Sequence, residues 1–151
     1  MQSISEIMTQ DVTVVAPTDN LQQAAQLMRE RDIGALPVCD GTRLVGMITD
    51  RDITIRAVAD GKSPGDVQVS EVMSDQVFWC YEDQSVEEVL QEMGNEQIRR
   101  IPVVSRDKRL VGVVSLGDMA VREAADMNET LEEISQPSVS RRPGTEAGRP
   151  H

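Results

Sequence analysis

Two rhythms of apolar residues run along this chain, and the same succession of rhythms occurs twice. Leu21, Ala24, Ala25 and Met28 fall at i, i+3, i+4 and i+7, which is one face of an α-helix. Val86, Val89, Leu90 and Met93 keep that helical spacing in the second half. Ahead of the first helix, the β-branched run Val12-Thr13-Val14-Val15 stops at Pro17 and predicts a strand, with Thr18 or Asp19 capping the helix that follows. After it, Leu36-Pro37-Val38-Cys39 and Leu44-Val45-Gly46-Met47-Ile48 predict a hairpin turning at Asp40-Gly41. The second hairpin turns at Arg106-Asp107-Lys108. Ser3-Ile4-Ser5-Glu6 has the S-x-x-E form of a capping box and opens a short helix through Met8. Final helices are expected near 50–58 and 117–127. Each half thus reads helix, strand, helix, strand, strand, helix, an α/β (α+β) class.

The two halves also share residues. Ser5-Glu6-Ile7-Met8-Thr9 returns as Ser70-Glu71-Val72-Met73-Ser74, and Ile33-Gly34-Ala35-Leu36-Pro37-Val38 as Ile98-Arg99-Arg100-Ile101-Pro102-Val103, both 65 positions on. Leu44-Val45-Gly46-Met47-Ile48-Thr49-Asp50-Arg51-Asp52 returns as Leu110-Val111-Gly112-Val113-Val114-Ser115-Leu116-Gly117-Asp118, now 66 positions on. One residue is inserted between Val103 and Leu110, in a polar turn that tolerates it. A period near 65 suits a small α/β subdomain rather than a solenoid unit. Two copies packed about a pseudo-twofold axis create two related clefts, where function is expected. The expected boundaries are 1–60 for the first copy, 61–67 for a linker, 68–130 for the second copy and 131–151 for a mobile tail. The tail's Arg141-Arg142 pair either solubilises it or touches a partner.

Composition narrows the chemistry. The chain has 151 residues, 39% of them apolar, and each half alone would bury too little surface to be stable. A formal charge of −11 repels phosphate backbones, so nucleic acid is not an expected partner. No apolar run is long enough to cross a bilayer, and the N-terminus lacks the pattern of a secretion signal; no membrane association is expected, and the expected location is the cytoplasm. Cys39 and Cys80 stand alone and read as buried, reduced, small hydrophobes. The single histidine is His151, and no GxSxG, P-loop, GxGxxG or HExxH occurs. Catalysis through histidine is excluded, no metal site is expected, and nothing favours a carboxylate-only enzyme.

The chemistry concentrates at a strand-to-helix junction that appears twice, as Gly46-Met47-Ile48-Thr49-Asp50-Arg51-Asp52 and Gly112-Val113-Val114-Ser115-Leu116-Gly117-Asp118. Thr49 and Ser115 are natural N-caps with Asp52 and Asp118 at N3, an arrangement that stabilises a helix start by about 1 kcal/mol. The same geometry suits a nucleotide. Free amides and the partial positive charge of a helix start attract phosphate, and a carboxylate one turn later accepts bonds from a ribose diol. The preceding glycine lets a ligand approach the strand.

These motifs, in order and twice, resemble the cystathionine-β-synthase (CBS) domain, and two in tandem resemble a Bateman module; the resemblance covers roughly residues 3–127. It implies β-α-β-β-α subdomains in a pseudo-symmetric pair whose clefts bind AMP, ADP, ATP, S-adenosylmethionine or NAD, with magnesium present only where ATP carries it. It also implies a non-catalytic sensor that regulates a partner protein or acts through its own homodimer. A structural dimerisation module with vestigial clefts is the competing reading. By position, Thr49 and Asp52 would hold phosphate and ribose at a first site, Arg99 and Arg100 of the other repeat its phosphates, and Met47, Val77 and Phe78 its adenine. A second site would use Ser115 and Asp118 with Val12 and Thr13, and is expected to be weaker or selective for a less anionic ligand, because Gly34 and Ala35 replace the arginine pair. Arg51 reads as a solvated residue of the helix start or as a further phosphate contact. Of the three aromatics, Phe78 is placed either against the ligand or in the core, and Trp79 and Tyr81 in packing. Ile53, Val58, Met119 and Val121 are the expected dimer surface.

Overall fold

The computed structural model describes residues 2–93 and 99–134, with side-chain surroundings as far as residue 125. Ile98, the Arg141-Arg142 pair, His151 and the tail from 135 lie outside the described residues. The helices are α1 (Leu21–Arg31), α2 (Asp50–Ile53), α3 (Val69–Val72), α4 (Val86–Met93) and α5 (Leu116–Ile134). The strands are β1 (Ala35–Asp40), β2 (Arg43–Thr49), β3 (Cys80–Tyr81), β4 (Arg100–Val104) and β5 (Leu110–Ser115). None of the described helices is long and apolar enough to cross a membrane.

Each repeat builds an antiparallel hairpin, β1–β2 and β4–β5, backed by helices on one face. The helical periodicity gives α1 its buried face of Leu21, Ala24 and Met28, while Ala25 turns to solvent. In α4, Val86, Val89 and Met93 are buried and Leu90 packs half-buried against the same core. The cap of α1 differs from the expected Thr18 or Asp19. Asn20 takes that role, its side chain accepting from the Gln23 N–H at 2.8 Å, while Asp19 turns back to accept from the Ala16 N–H at 2.9 Å. The opening helix is a single 3-10 turn, Ile4–Glu6, and Ser3 makes no cap; its hydroxyl bonds Ser5 Oγ instead. At the other end α5 runs to Ile134, past the expected end of the second copy.

The predicted strand Val12–Val15 is reduced to one parallel bridge, Val15 with Val38. Proline explains the loss. The Val15 N–H donates to the Pro37 carbonyl at 3.1 Å and the Cys39 N–H to the Val15 carbonyl at 2.9 Å. The next rung of a parallel ladder would need an N–H from residue 37, which proline lacks. Pro102 stands at the matching place in β4, and β3 begins only at Cys80. Each proline thereby releases the segment before it from its own sheet, and that segment crosses to the other repeat.

The crossing is an exchange. Thr9 pairs with Val113 of β5, its N–H and carbonyl bonded at 2.8 and 3.0 Å, and Ser74 pairs with Met47 of β2 at 2.9 Å in both directions. Further back, Ser3 bridges Ser85 and Gln68 bridges Asn20. The apolar residues follow. Ile4, Ile7 and Met8 of the first copy join the core made by Cys80, Val89, Ile101, Val114 and Met119. Val67, Val69 and Val72 of the second join the core of Leu21, Leu36, Val38 and Ile48. The spatial units are therefore not the two contiguous halves of the sequence: each core is completed by the opening segment of the other copy. The expected linker is part of this, because Val67 at its end is buried and its carbonyl accepts from the Leu21 N–H at 3.0 Å.

Gly46 and Gly112 have a different task from admitting a ligand. A Cβ on Gly46 would lie 2.7 Å from the Ser74 carbonyl oxygen and 2.8 Å from Met73 Sδ. On Gly112 it would lie 2.6 Å from Met8 Sδ and 2.8 Å from the Thr9 carbonyl oxygen. The Met-Thr and Met-Ser pairs of the opening segments thus seat directly on the glycine of the other repeat.

Candidate functional site

The two helix starts share geometry and differ in charge. At the start of α2, Thr49 Oγ1 accepts from the Asp52 N–H at 3.0 Å and Asp52 Oδ2 accepts from the Thr49 N–H at 3.1 Å. Asp52 also lies 4.0 Å from Arg56 Nε, and its side chain is only 16% exposed. The Asp50 N–H donates to the Gly34 carbonyl at 2.9 Å, and the Asp50 carboxylate lies over Gly34, 3.0 Å from where a Cβ would stand. This mouth is flanked by Gly34 and Ala35, carries two carboxylates, and one of them is already used in capping.

At the start of α5, Ser115 Oγ accepts from the Asp118 N–H at 3.0 Å, and Asp118 is exposed. The Leu116 N–H donates to the Arg99 carbonyl at 2.7 Å and Arg100 sits opposite Ser115 in the ladder. Leu116 stands where the first mouth has Asp50. The second mouth thus exchanges an acid for a leucine and a Gly-Ala pair for two arginines. With a helix of 19 residues behind it, its field suits an anion.

Arg99 and Arg100 are expected to face Thr49 and Asp52 across the repeats; the antiparallel ladder sets the backbone of both arginines beside Ser115 and Leu116 of their own repeat. Among the described residues, no hydrogen bond or ion pair joins either arginine to Thr49 or Asp52. The crossing segments line clefts against the strands of the other repeat. Val77 lines a cleft with Leu44, Val45 and Gly46 of β2, one residue from Met47. Val12 lines the equivalent cleft with Leu110 and Val111 of β5, and Thr13 is half-buried beside it in the chain. Phe78 packs against the second core.

The clefts measure about 350 and 460 Å³, open mouths included. They are related by the repeat, and each lies toward the turn end of its hairpin, away from the helix start. Cleft one adds Asp75, Trp79, Val104 and Lys108, whereas cleft two has Gln10, Val14, Cys39, Gly41 and Thr42 at the corresponding places. Asp75 and Lys108 were not singled out from sequence. The available signal was the inserted residue, which lengthens the second turn; Lys108 there takes the left-handed region, φ 69°, as Gly41 does in the first turn, φ 65°.

Trp79 and Tyr81 pack edge to face, ring centroids 5.0 Å apart, as same-side strand neighbours should. The Arg106 guanidinium lies 4.0 Å from the Tyr81 centroid and grips Asp83 through two bonds of 2.8 and 3.0 Å. That grip holds the Asp83 carboxyl below its ordinary pKa. Both cysteines are free and buried; burial pushes the Cys39 thiol up to about 11 and the Cys80 thiol to about 12, so both remain protonated at neutral pH.

Comparison with known proteins places this geometry. The family model of the CBS domain matches residues 4–58 and 69–124. The chain is 42% identical over 126 residues to the CBS domain-containing protein YhcV of Bacillus subtilis, covering 83% of this chain and 89% of that one. It is 44% identical over 121 residues to hypoxic response protein 1 of Mycobacterium tuberculosis, covering 80% and 84% of the two chains. A crystal structure of hypoxic response protein I, with two coordinated zinc ions, superposes with a TM-score of 0.72 at 43% identity, over 81% of this chain and 99% of that one. The CBS domain pair of MJ0100, solved with 5′-methylthioadenosine and S-adenosylmethionine, superposes with a TM-score of 0.69 at 27% identity, over 83% and 98%. Among the described residues of this chain, no group of three His, Cys, Asp or Glu is placed to hold a metal.

Proposed function

The chain belongs to the CBS domain family, of which it carries two copies, and on that premise we propose that this regulatory module senses an adenosine-type ligand without catalysing a reaction. The observation that carries the reading is the start of α5, where an exposed carboxylate, a capping hydroxyl and the Arg99-Arg100 backbone converge. In this reading Asp118 accepts the ribose hydroxyls, and Arg99 and Arg100 hold phosphate. AMP, ADP and ATP suit this mouth. The start of α2, with Asp50 and Asp52, suits an uncharged or cationic ligand such as 5′-methylthioadenosine or S-adenosylmethionine. Support comes from the MJ0100 domain pair, which was solved with both of these.

Thermal-shift screening against AMP, ADP, ATP, NAD, S-adenosylmethionine and 5′-methylthioadenosine tests it, since a ligand that binds the native state raises its melting temperature. Arg100→Ala is expected to weaken AMP binding about tenfold by titration calorimetry, the loss of one charge-assisted contact. Unchanged affinity would reject the phosphate assignment. One observation favours the structural alternative at the α2 mouth, where Thr49 and Asp52 already satisfy one another. If no adenosine ligand stabilises the protein, that alternative takes the whole molecule.

A signal needs a surface that differs between ligand states. Of the expected dimer residues, Val58 and Val121 are exposed, at 59% and 68%, and Ile55 joins them at 49%. Ile53 is half-buried against the first core, and Met119 is wholly buried in the second and so unavailable. We assign homodimerisation to the exposed set. Val121→Glu is expected to shift sedimentation toward the monomer and to remove the dependence of the melting temperature on protein concentration.

A further inference from the structure

The two methionines that seat on glycine combine reach from solvent with a place that has no room to spare. Among the methionines whose surroundings are described, Met28, Met93 and Met119 are buried, while Met8, Met47 and Met73 are half-buried. Met8 and Met73 are repeat equivalents, and among the described residues only they press a sulfur on a glycine of the other repeat. A Cβ on Gly112 would stand 2.6 Å from Met8 Sδ and one on Gly46 2.8 Å from Met73 Sδ, so even a methyl group crowds each sulfur. The backbone donors beside the two seats are already spent. The Thr9 and Val113 N–H groups donate to each other's carbonyls, as do those of Ser74 and Met47. The other sulfur groups, Cys39 and Cys80, are buried thiols held protonated by that burial, so neither offers the thiolate that oxidants attack.

We propose that Met8 and Met73 are sites of reversible oxidation by peroxides, and that their sulfoxides release each crossing segment from the opposite repeat. The thioether sulfur attacks hydrogen peroxide and is oxidised by two electrons. The O–O bond breaks, one oxygen forms the new S–O bond, and the other leaves as water with both protons. The added oxygen is a polar acceptor for which the seat offers neither space nor a free donor. The oxidised side chain therefore swings off the glycine toward water. Met8 thereby withdraws its packing from the second core and Met73 from the first. One modification thus loosens the exchange in both directions. Methionine sulfoxide reductases, drawing electrons from thiols, return the thioether and with it the seat. Nothing in this device depends on the adenosine reading.

The test treats the full chain with hydrogen peroxide and maps the oxidised residues by peptide mass. Met8 and Met73 are expected to gain one oxygen each before Met28, Met93 and Met119 do, and the melting temperature to fall by about 5–10 °C. Hydrogen exchange is expected to quicken at the Thr9, Val113, Met47 and Ser74 amides, and treatment with both sulfoxide reductases to restore protection and melting temperature. The double variant Met8→Leu, Met73→Leu conserves volume and is expected to keep its melting temperature through the same exposure, although Met47 remains to be oxidised. Buried methionines oxidised first, a parent oxidised at Met8 and Met73 without loss of stability, or a double variant that loses as much as the parent would each overturn the proposal. Should the double variant not fold, the parent decides alone, and a melting temperature that reduction fails to restore overturns it. No readout involves a nucleotide, so the adenosine reading stands or falls separately, on the thermal-shift screen and Arg100→Ala.

Discussion

Gly112→Ala is expected to lower the denaturation midpoint sharply. The new Cβ would stand 2.6 Å from Met8 Sδ and 2.8 Å from the Thr9 carbonyl oxygen. The sulfur can swing aside, but the carbonyl belongs to the bridge that fixes the opening segment on β5, bonded at 2.8 and 3.0 Å. Relief therefore means lifting residues 4–9 off the second core, where Ile4 and Met8 are packed. Overpacking of this kind costs about 2–3 kcal/mol net of the propensity gained by leaving glycine, or roughly 5–10 °C in a chain of this size. Gly46→Ala meets the Ser74 carbonyl at 2.7 Å and is expected to match it. Two controls separate the clash from the substitution. Gly41, at φ +65° with open space around it, is expected to lose about 1 kcal/mol to backbone strain alone. Gly117, in the first turn of α5 with nothing near, is expected to gain up to about 1 kcal/mol. Chemical denaturation of the four variants checks the order; a Gly112→Ala protein as stable as the parent would remove the interlock from the account of this fold.

Ile4→Ala is expected to destabilise the second core although Ile4 opens the first copy. Ile4 has no exposed surface and sits among Cys80, Val89, Ile101 and Met119. Truncating a fully buried isoleucine costs about 2–5 kcal/mol through lost transfer energy and the cavity left behind. Its mirror is Val69→Ala, which empties space in the first core and, with a smaller side chain, is expected to cost less. Hydrogen exchange by residue distinguishes this picture from two independent halves. The Ile4→Ala chain should lose protection first in β4 and β5, and the Val69→Ala chain first in β1 and β2. Protection lost instead around α1 in the Ile4→Ala protein would mean that the exchange of opening segments is not what joins the cores.

The exchange also explains why two motifs recur together. The Ser-Glu-x-Met-Thr/Ser segment and the Leu-Val-Gly strand look like separate signatures along the chain. In space they are the two sides of one contact, methionine and carbonyl on glycine, made once in each direction. A residue that reads as a permissive glycine for ligand approach is in fact occupied by protein.

Much of this was visible in the order of residues. Helical and strand periodicities are local, so the core faces of α1 and α4 and both hairpins followed from side-chain spacing alone. The Thr49 cap with Asp52 is equally local, a contact across three residues, and the structure forms it in both directions. The duplication announced a pseudo-symmetric pair, and the CBS family match bears that out. What sequence spacing misjudged was every feature set by a partner distant in the chain. Val12–Val14 have the composition of a strand, but a strand exists only where a neighbour offers donors, and Pro37 offers none. Ser3 has the form of a cap, yet the segment is positioned by Glu82 and Gln84 carbonyls of the other repeat rather than by a helix of its own. The contact of Lys108 with Trp79 joins the second hairpin turn to a crossing segment, two stretches distant in the chain. Periodicity encodes which face of an element is buried, because that depends on near neighbours; tertiary structure alone decides what it is buried against, because that depends on donors, acceptors and volumes supplied from elsewhere in the chain.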